Sequence, residues 1–182
     1  VDPGAEGALT VLATRAGWKP LIAVVDIPSY RREIDKKTKA GKAAYRSEFD
    51  YPALGDIVRQ LDPVSARRIR FTIEKFQIMV KHPGAKAGPG KAHAGGAMSA
   101  AKTAEGGRMF RLWCAYRRIQ YAEVHPATWK AYYKSRGEGA KEHARAKARE
   151  LYPSLTTLSR KSDHNRAEAV LIANYAFATA SD

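Results

Sequence analysis

Apolar positions along the chain change their period several times, and each change marks an element. Gly7–Ala13 and Trp18–Pro28 are β-rich apolar runs around a Gly-containing turn, which predicts two adjacent antiparallel strands. Val1–Asp2 reads as the inside of an earlier strand, so a few residues are expected upstream of it, although Asp2-Pro3-Gly4 is also a common turn sequence. Ser29–Asp50 is polar, basic and without sustained period, and is expected to be a loop or excursion near the ligand, or else a plain solvated loop. Leu54, Ile57, Val58 and Leu61 then recur at helical spacing, and Asp62-Pro63 ends that helix. In Arg67–Phe76, Ile69, Phe71 and Ile73 alternate with polar residues, so this is a strand with Glu74 at its carboxyl end.

His82–Gly107 is rich in Gly, Ala and Lys and predicts a mobile segment without a nucleotide-loop pattern. A helix follows through Met109–Ile119, its start placed between Ser99 and Gly107 and its inner stripe at Phe110, Trp113, Cys114 and Arg117. Ile119–Val124 is a further strand, closed by His125-Pro126, and Ala127–Tyr133 is a short turn or helix. Gly139–Leu151 is a basic amphipathic helix, with Ala140, Ala144, Ala148 and Leu151 on one face. The last helix starts near Ser162 or Asp163 as N-cap, and Ala167, Val170, Leu171, Asn174 and Tyr175 form the side that meets the core. Early antiparallel strands followed by alternating helix and strand predict one α/β domain over residues 1–182, a mixed five-stranded sheet flanked by helices.

Charge narrows the partner. Lys and Arg number 32 against 18 Asp and Glu, a formal net charge of +14, which favours a polyanion and first of all nucleic acid. No apolar run is long enough for a membrane span, so no membrane partner is expected. The lone Cys114 excludes an intramolecular disulfide, suits a reducing compartment and reads best as a small buried hydrophobe.

Against that basic background four acids stand where the predicted elements can converge. Asp2 lies in the first strand, Glu74 at the end of the fourth, and Asp163 with Glu168 on the last helix, whose N-terminal turn also carries His164. Hard oxygen ligands from several elements suit Mg²⁺, and two such ions about 4 Å apart can activate water and stabilise the charge of phosphodiester cleavage. Zinc is a poor alternative, because His164 and Glu168 have no third ligand at the usual spacing.

The ordered motifs resemble the RuvC-type Holliday junction resolvases of the RNase H-like superfamily, and more narrowly the branch of plastids, phages and some bacteria. The matching segments are Val1-Asp2-Pro3-Gly4, Thr72-Ile73-Glu74, Val124-His-Pro-Ala-Thr-Trp129-Lys130 and Lys161-Ser-Asp-His-Asn-Arg-Ala-Glu168-Ala-Val-Leu-Ile-Ala173. The resemblance implies an RNase H-like fold and a homodimer that binds four-way DNA junctions. It implies paired symmetric nicks made with Mg²⁺ or Mn²⁺. Asp2, Glu74 and Glu168 would be ligands, joined by Asp163, with His164 or Asn165 as the other candidates. Many relatives place an acid or His three residues before the final Asp, which aligns Asn165 with that position and Glu168 with the Asp. By charge and position, Lys75, Lys102, Arg108, Lys161 and Arg166 are the expected phosphate contacts. Two other readings remain open: an RNase H-like nuclease for RNA–DNA hybrids or transposon ends, and a non-catalytic junction-binding protein.

Overall fold

The structure is a computed structural model and describes residues 2–3, 7–13, 21–37, 43–60, 70–75 and 94–180. It is a mixed α/β arrangement. In chain order the elements are β1 (Ala8–Ala13), β2 (Leu21–Asp26), β3 (Ser29–Lys37), β4 (Ala43–Phe49), α1 (Tyr51–Gln60), β5 (Arg70–Glu74), α2 (Ala94–Arg117), β6 (Gln120–Val124), α3 (Pro126–Tyr132), α4 (Ala140–Leu151) and α5 (His164–Thr179).

The strands associate in pairs. β1 and β2 are antiparallel with Ala8 opposite Asp26, β3 and β4 are antiparallel with Ser29 opposite Phe49, and β5 and β6 are parallel with Arg70 opposite Gln120. Among the described residues each sheet has two strands, so the expected five-stranded sheet is not formed as one hydrogen-bonded unit. Asp2 contributes an isolated antiparallel bridge to Ala8, its N–H donating to the Ala8 carbonyl at 3.0 Å.

Strand parity explains how two cores share these strands. Successive residues of a strand point to opposite faces. Leu9, Ile27, Phe71, Ile73 and Ile119 join Leu54 of α1 and Phe110 and Cys114 of α2 in one buried cluster. Leu12, Val24 and Val124, at the opposite parity, meet Trp129, Ala144, Ala148, Val170 and Leu171 of α3, α4 and α5 in the other. The strands therefore lie between two helical layers. Glu74, one residue beyond Ile73, shares the parity of the strand face turned to α3 and α5.

Two expectations are corrected here. Ser29–Asp50 is mostly an antiparallel ribbon, not a loop; Tyr30, Arg31, Arg32, Glu33 and Tyr45 are exposed, and a strand without a buried face shows no apolar alternation. The helix expected to start between Ser99 and Gly107 begins at Ala94, and the Gly-rich stretch before it, through residue 93, lies outside the described residues. Gly106 has a specific use within α2. A Cβ there would lie 2.0 Å from the Pro3 carbonyl oxygen, so glycine lets the Asp2–Pro3 backbone cross the helix. Leu61, Asp62 and Pro63 also fall outside the described residues.

The remaining helices follow the apolar pattern, with adjustments. α5 is buried at Ala167, Ala169, Val170, Leu171 and Ile172, because β1 and α4 both pack on it and more than one stripe is covered. A 3-10 turn, Lys161–Asp163, leads into it. Cys114 is fully buried, and burial pushes its thiol up to about 11, in keeping with a packing role. No described helix is long and apolar enough to cross a membrane.

Candidate functional site

The end of β5 meets the start of α3 through a short sequence of local decisions. β6 stops at Val124; the Lys75 N–H still donates to its carbonyl at 2.8 Å, so Glu74 is held to the last rung of the ladder. His125 then caps α3, its Nδ1 accepting the Ala127 N–H at 3.3 Å, and Pro126 occupies the first turn where a missing N–H does no harm. One turn later Trp129 is fully buried, and its Nε1–H donates to Glu74 Oε1 at 2.9 Å.

Glu168 reaches the same place from α5. Lys130 Nζ stands 3.3 Å from Glu168 Oε1 and 4.9 Å above the Trp129 ring, so the cation is shared between a carboxylate and an aromatic face. The Glu168 side chain retains only 15% of its exposure. Burial raises the Glu74 carboxyl above the usual carboxylate range, opposed by the Trp129 hydrogen bond and the Lys130 charge and reinforced by the Glu168 charge. Two carboxylates from different elements thus feel each other electrostatically around one lysine.

The other expected members have surroundings of their own. Asp2 is half-buried in the bridge to Ala8. Asp163 is 3% exposed, and both its oxygens are taken by Arg160: the main-chain N–H at 2.7 Å, Nε at 3.2 Å and Nη2 at 3.0 Å. Burial alone would push that carboxyl up, but these donors and the Arg166 charge bring it below the usual range. It stands at the N-cap position without capping α5, and serves to clamp the preceding turn. His164 Nε2 lies 3.2 Å from Lys141 Nζ, while Asn165 is half-buried one turn before Glu168 on the same helix. Among the described residues, no three His, Cys, Asp or Glu side chains converge as a metal cage. The Glu74–Glu168 pair nevertheless offers hard oxygen donors, the chemistry that suits Mg²⁺.

Of the expected phosphate contacts, Lys75, Arg108 and Lys161 are exposed and Lys102 is half-buried. Arg166 is turned inward: its Nε donates to Asp26 Oδ1 at 2.6 Å and its Nη1 to the Thr157 carbonyl at 3.3 Å, bracing α5 against β2. Sequence reasoning assigned no role to Trp129, Lys130 or Arg160. The available signal was the His-Pro-x-x-Trp-Lys spacing, which puts an indole and an ammonium one turn after a strand end.

No protein-family model matches this chain, and no curated protein matches it either.

Proposed function

We propose that this chain is a metal-dependent endonuclease with an RNase H-like fold that resolves four-way DNA junctions as a homodimer. The observation that carries the reading is the meeting of Glu74 and Glu168 over the Trp129–Lys130 pair, in a chain of net charge +14. The antiparallel β1–β2 pair, the parallel β5–β6 pair and the Asp2–Ala8 bridge are compatible with a five-stranded RNase H-like sheet in which the Asp2 segment would lie between β1 and β5.

Glu74, Glu168 and Asp2 would hold Mg²⁺ or Mn²⁺, with Asn165 or His164 completing the set, since Asp163 is committed to Arg160. Such an ion, when bound, would supply an activated water and offset the charge that develops on the phosphate. The chain's own groups prepare that place. Trp129 fixes one Glu74 oxygen, and Lys130 lowers the repulsion between the two carboxylates. Lys75 and Lys161, exposed beside Glu74 and just ahead of α5, are placed to draw in phosphates that the carboxylates alone would repel. A homodimer suits the near two-fold symmetry of a junction, with one site for each of two opposed strands.

Nicking of a labelled four-way junction with Mg²⁺, beside a linear duplex and an RNA–DNA hybrid, tests the reading. Paired junction nicks are expected, and Glu74→Gln should reduce them by more than the roughly 10–100-fold typical of groups one shell outside a metal. Asn165→Asp, which adds a charge one turn before Glu168, should increase the rate. Cutting of the hybrid alone would point to another RNase H-like nuclease, and junction binding without cutting by any version would leave a binding protein.

A further inference from the structure

The β3–β4 ribbon stands apart from the site just described and is unlike the rest of the molecule. Its two strands pair only with each other, so neither edge is covered by a third strand among the described residues. An isolated two-stranded hairpin is marginal in water, and in this one the side chains from Ser29 to Glu33 are all exposed. Ser29–Phe49 carries seven Lys or Arg against three Asp or Glu, a net +4 on 21 residues. Arg31 and Arg32 are exposed near its base, as are Tyr30 and Tyr45 at 49% and 58%. The register sets the backbone of Arg32 opposite that of Arg46. Glu48 accepts the Tyr30 hydroxyl at 2.9 Å and lies 3.7 Å from Arg32, yet the Arg32 side chain keeps 67% of its exposure.

We propose that this ribbon is a second DNA-binding element, an arm that lies along a duplex and neutralises its phosphates through Arg31 and Arg32. Charge complementarity selects the occupant: a second copy of a +14 chain would repel a basic ribbon, whereas duplex DNA releases counterions to it. Size agrees. Nine residues of β3 extend about 30 Å at the usual rise per residue, and a two-stranded ribbon fits a major groove about 12 Å wide. The proposal rests on the reading of this chain as a DNA-binding protein, but not on cleavage. In a junction the ribbon would grip an arm while Glu74 and Glu168 address the strand to be cut.

The test is a salt titration of the full chain binding a labelled linear duplex and a four-way junction without divalent metal, read by fluorescence anisotropy. Arg31→Ala with Arg32→Ala should lower the slope of log affinity against log salt by about 1.8 and weaken duplex binding roughly tenfold or more at low salt. Lys at both positions should restore the slope. An unchanged slope in the Ala pair with native circular dichroism would overturn the proposal, as would a slope that Lys does not restore. Loss of dimer in sedimentation with an unchanged slope would show the ribbon seated on a second copy and overturn it too. A chain that binds through Arg31 and Arg32 but never nicks a junction would keep the arm and defeat the nuclease reading; nicking unaffected in a pair variant with wild-type slope would do the reverse.

Discussion

Glu74 and Asp163 are both shielded acids, yet their effects on stability have opposite signs. The folded pKa of Glu74 is raised, so its contribution is fully present below its unfolded pKa and is lost as pH rises through the folded value. At pH above that folded value the ionised group is therefore a burden, and Glu74→Gln is expected to raise the melting temperature there while removing cleavage. Asp163 has a lowered folded pKa, so its contribution is present above about pH 4 and is lost as pH falls through the folded value. Asp163→Asn should cost about 1–3 kcal/mol at pH 7, from the charge-assisted hydrogen bonds that the buried carboxylate loses, and should flatten the acid limb of stability. Melting curves of both variants between pH 3 and 8 check the pair of signs. Equal destabilisation in the two would show that Glu74 is only a structural acid. Sequence placed both carboxylates in one candidate cluster, and the structure shows what each meets: Asp163 the Arg160 of its own turn, and Glu74 the Trp129 indole from a distant segment.

At the level of elements, α2 and the β3–β4 ribbon show where periodicity misleads. Glycines at 95 and 96 made a helix start before Ser99 unattractive, since each glycine costs about 1 kcal/mol relative to alanine inside a helix. The structure gives Gly106 a reason that local propensity does not contain. Gly106→Ala would ordinarily stabilise a helix; here it should destabilise the protein by about 1–3 kcal/mol and also slow junction cutting, because Pro3 must shift and Asp2 shifts with it. Chemical denaturation and the nicking rate together decide the sign. A stabilised Gly106→Ala would mean that the Asp2–Pro3 segment does not cross α2. The ribbon escaped sequence reading for a complementary reason: Tyr30, Arg31, Arg32, Glu33 and Tyr45 are all exposed, so no apolar residue among them needed to alternate.

For the whole molecule, the decisive feature is a strand layer that serves two cores. Leu9 belongs to the cluster with α1 and α2, and Leu171 to the cluster with α3 and α4. Since β1 contributes Leu9 to one and Leu12 to the other, neither helical layer can leave without exposing strands that the other needs. Leu9→Ala and Leu171→Ala should each cost about 2–5 kcal/mol and move the same unfolding transition. Far-ultraviolet and near-ultraviolet circular dichroism, followed together, should stay coincident in both variants. Two separated transitions would show that the layers fold independently.

Sequence by itself determined which segments are strands and helices around β1, β2, α1, β5, β6, α4 and α5, because each has a buried side that imposes a period on its apolar residues. It also determined the basic balance, the buried character of Cys114 and the candidacy of Glu74 and Glu168. Tertiary structure decided what those acids meet. Trp129 and Lys130 become the partners of Glu74 and Glu168 only once β6 has turned through His125 and Pro126 into α3 and α5 has packed across the strand ends. The inward turn of Arg166 and the need for Gly106 were likewise settled by contacts between segments far apart in the chain, where a residue's neighbours are fixed by packing and not by spacing, whereas Asp163 is held within its own turn by Arg160.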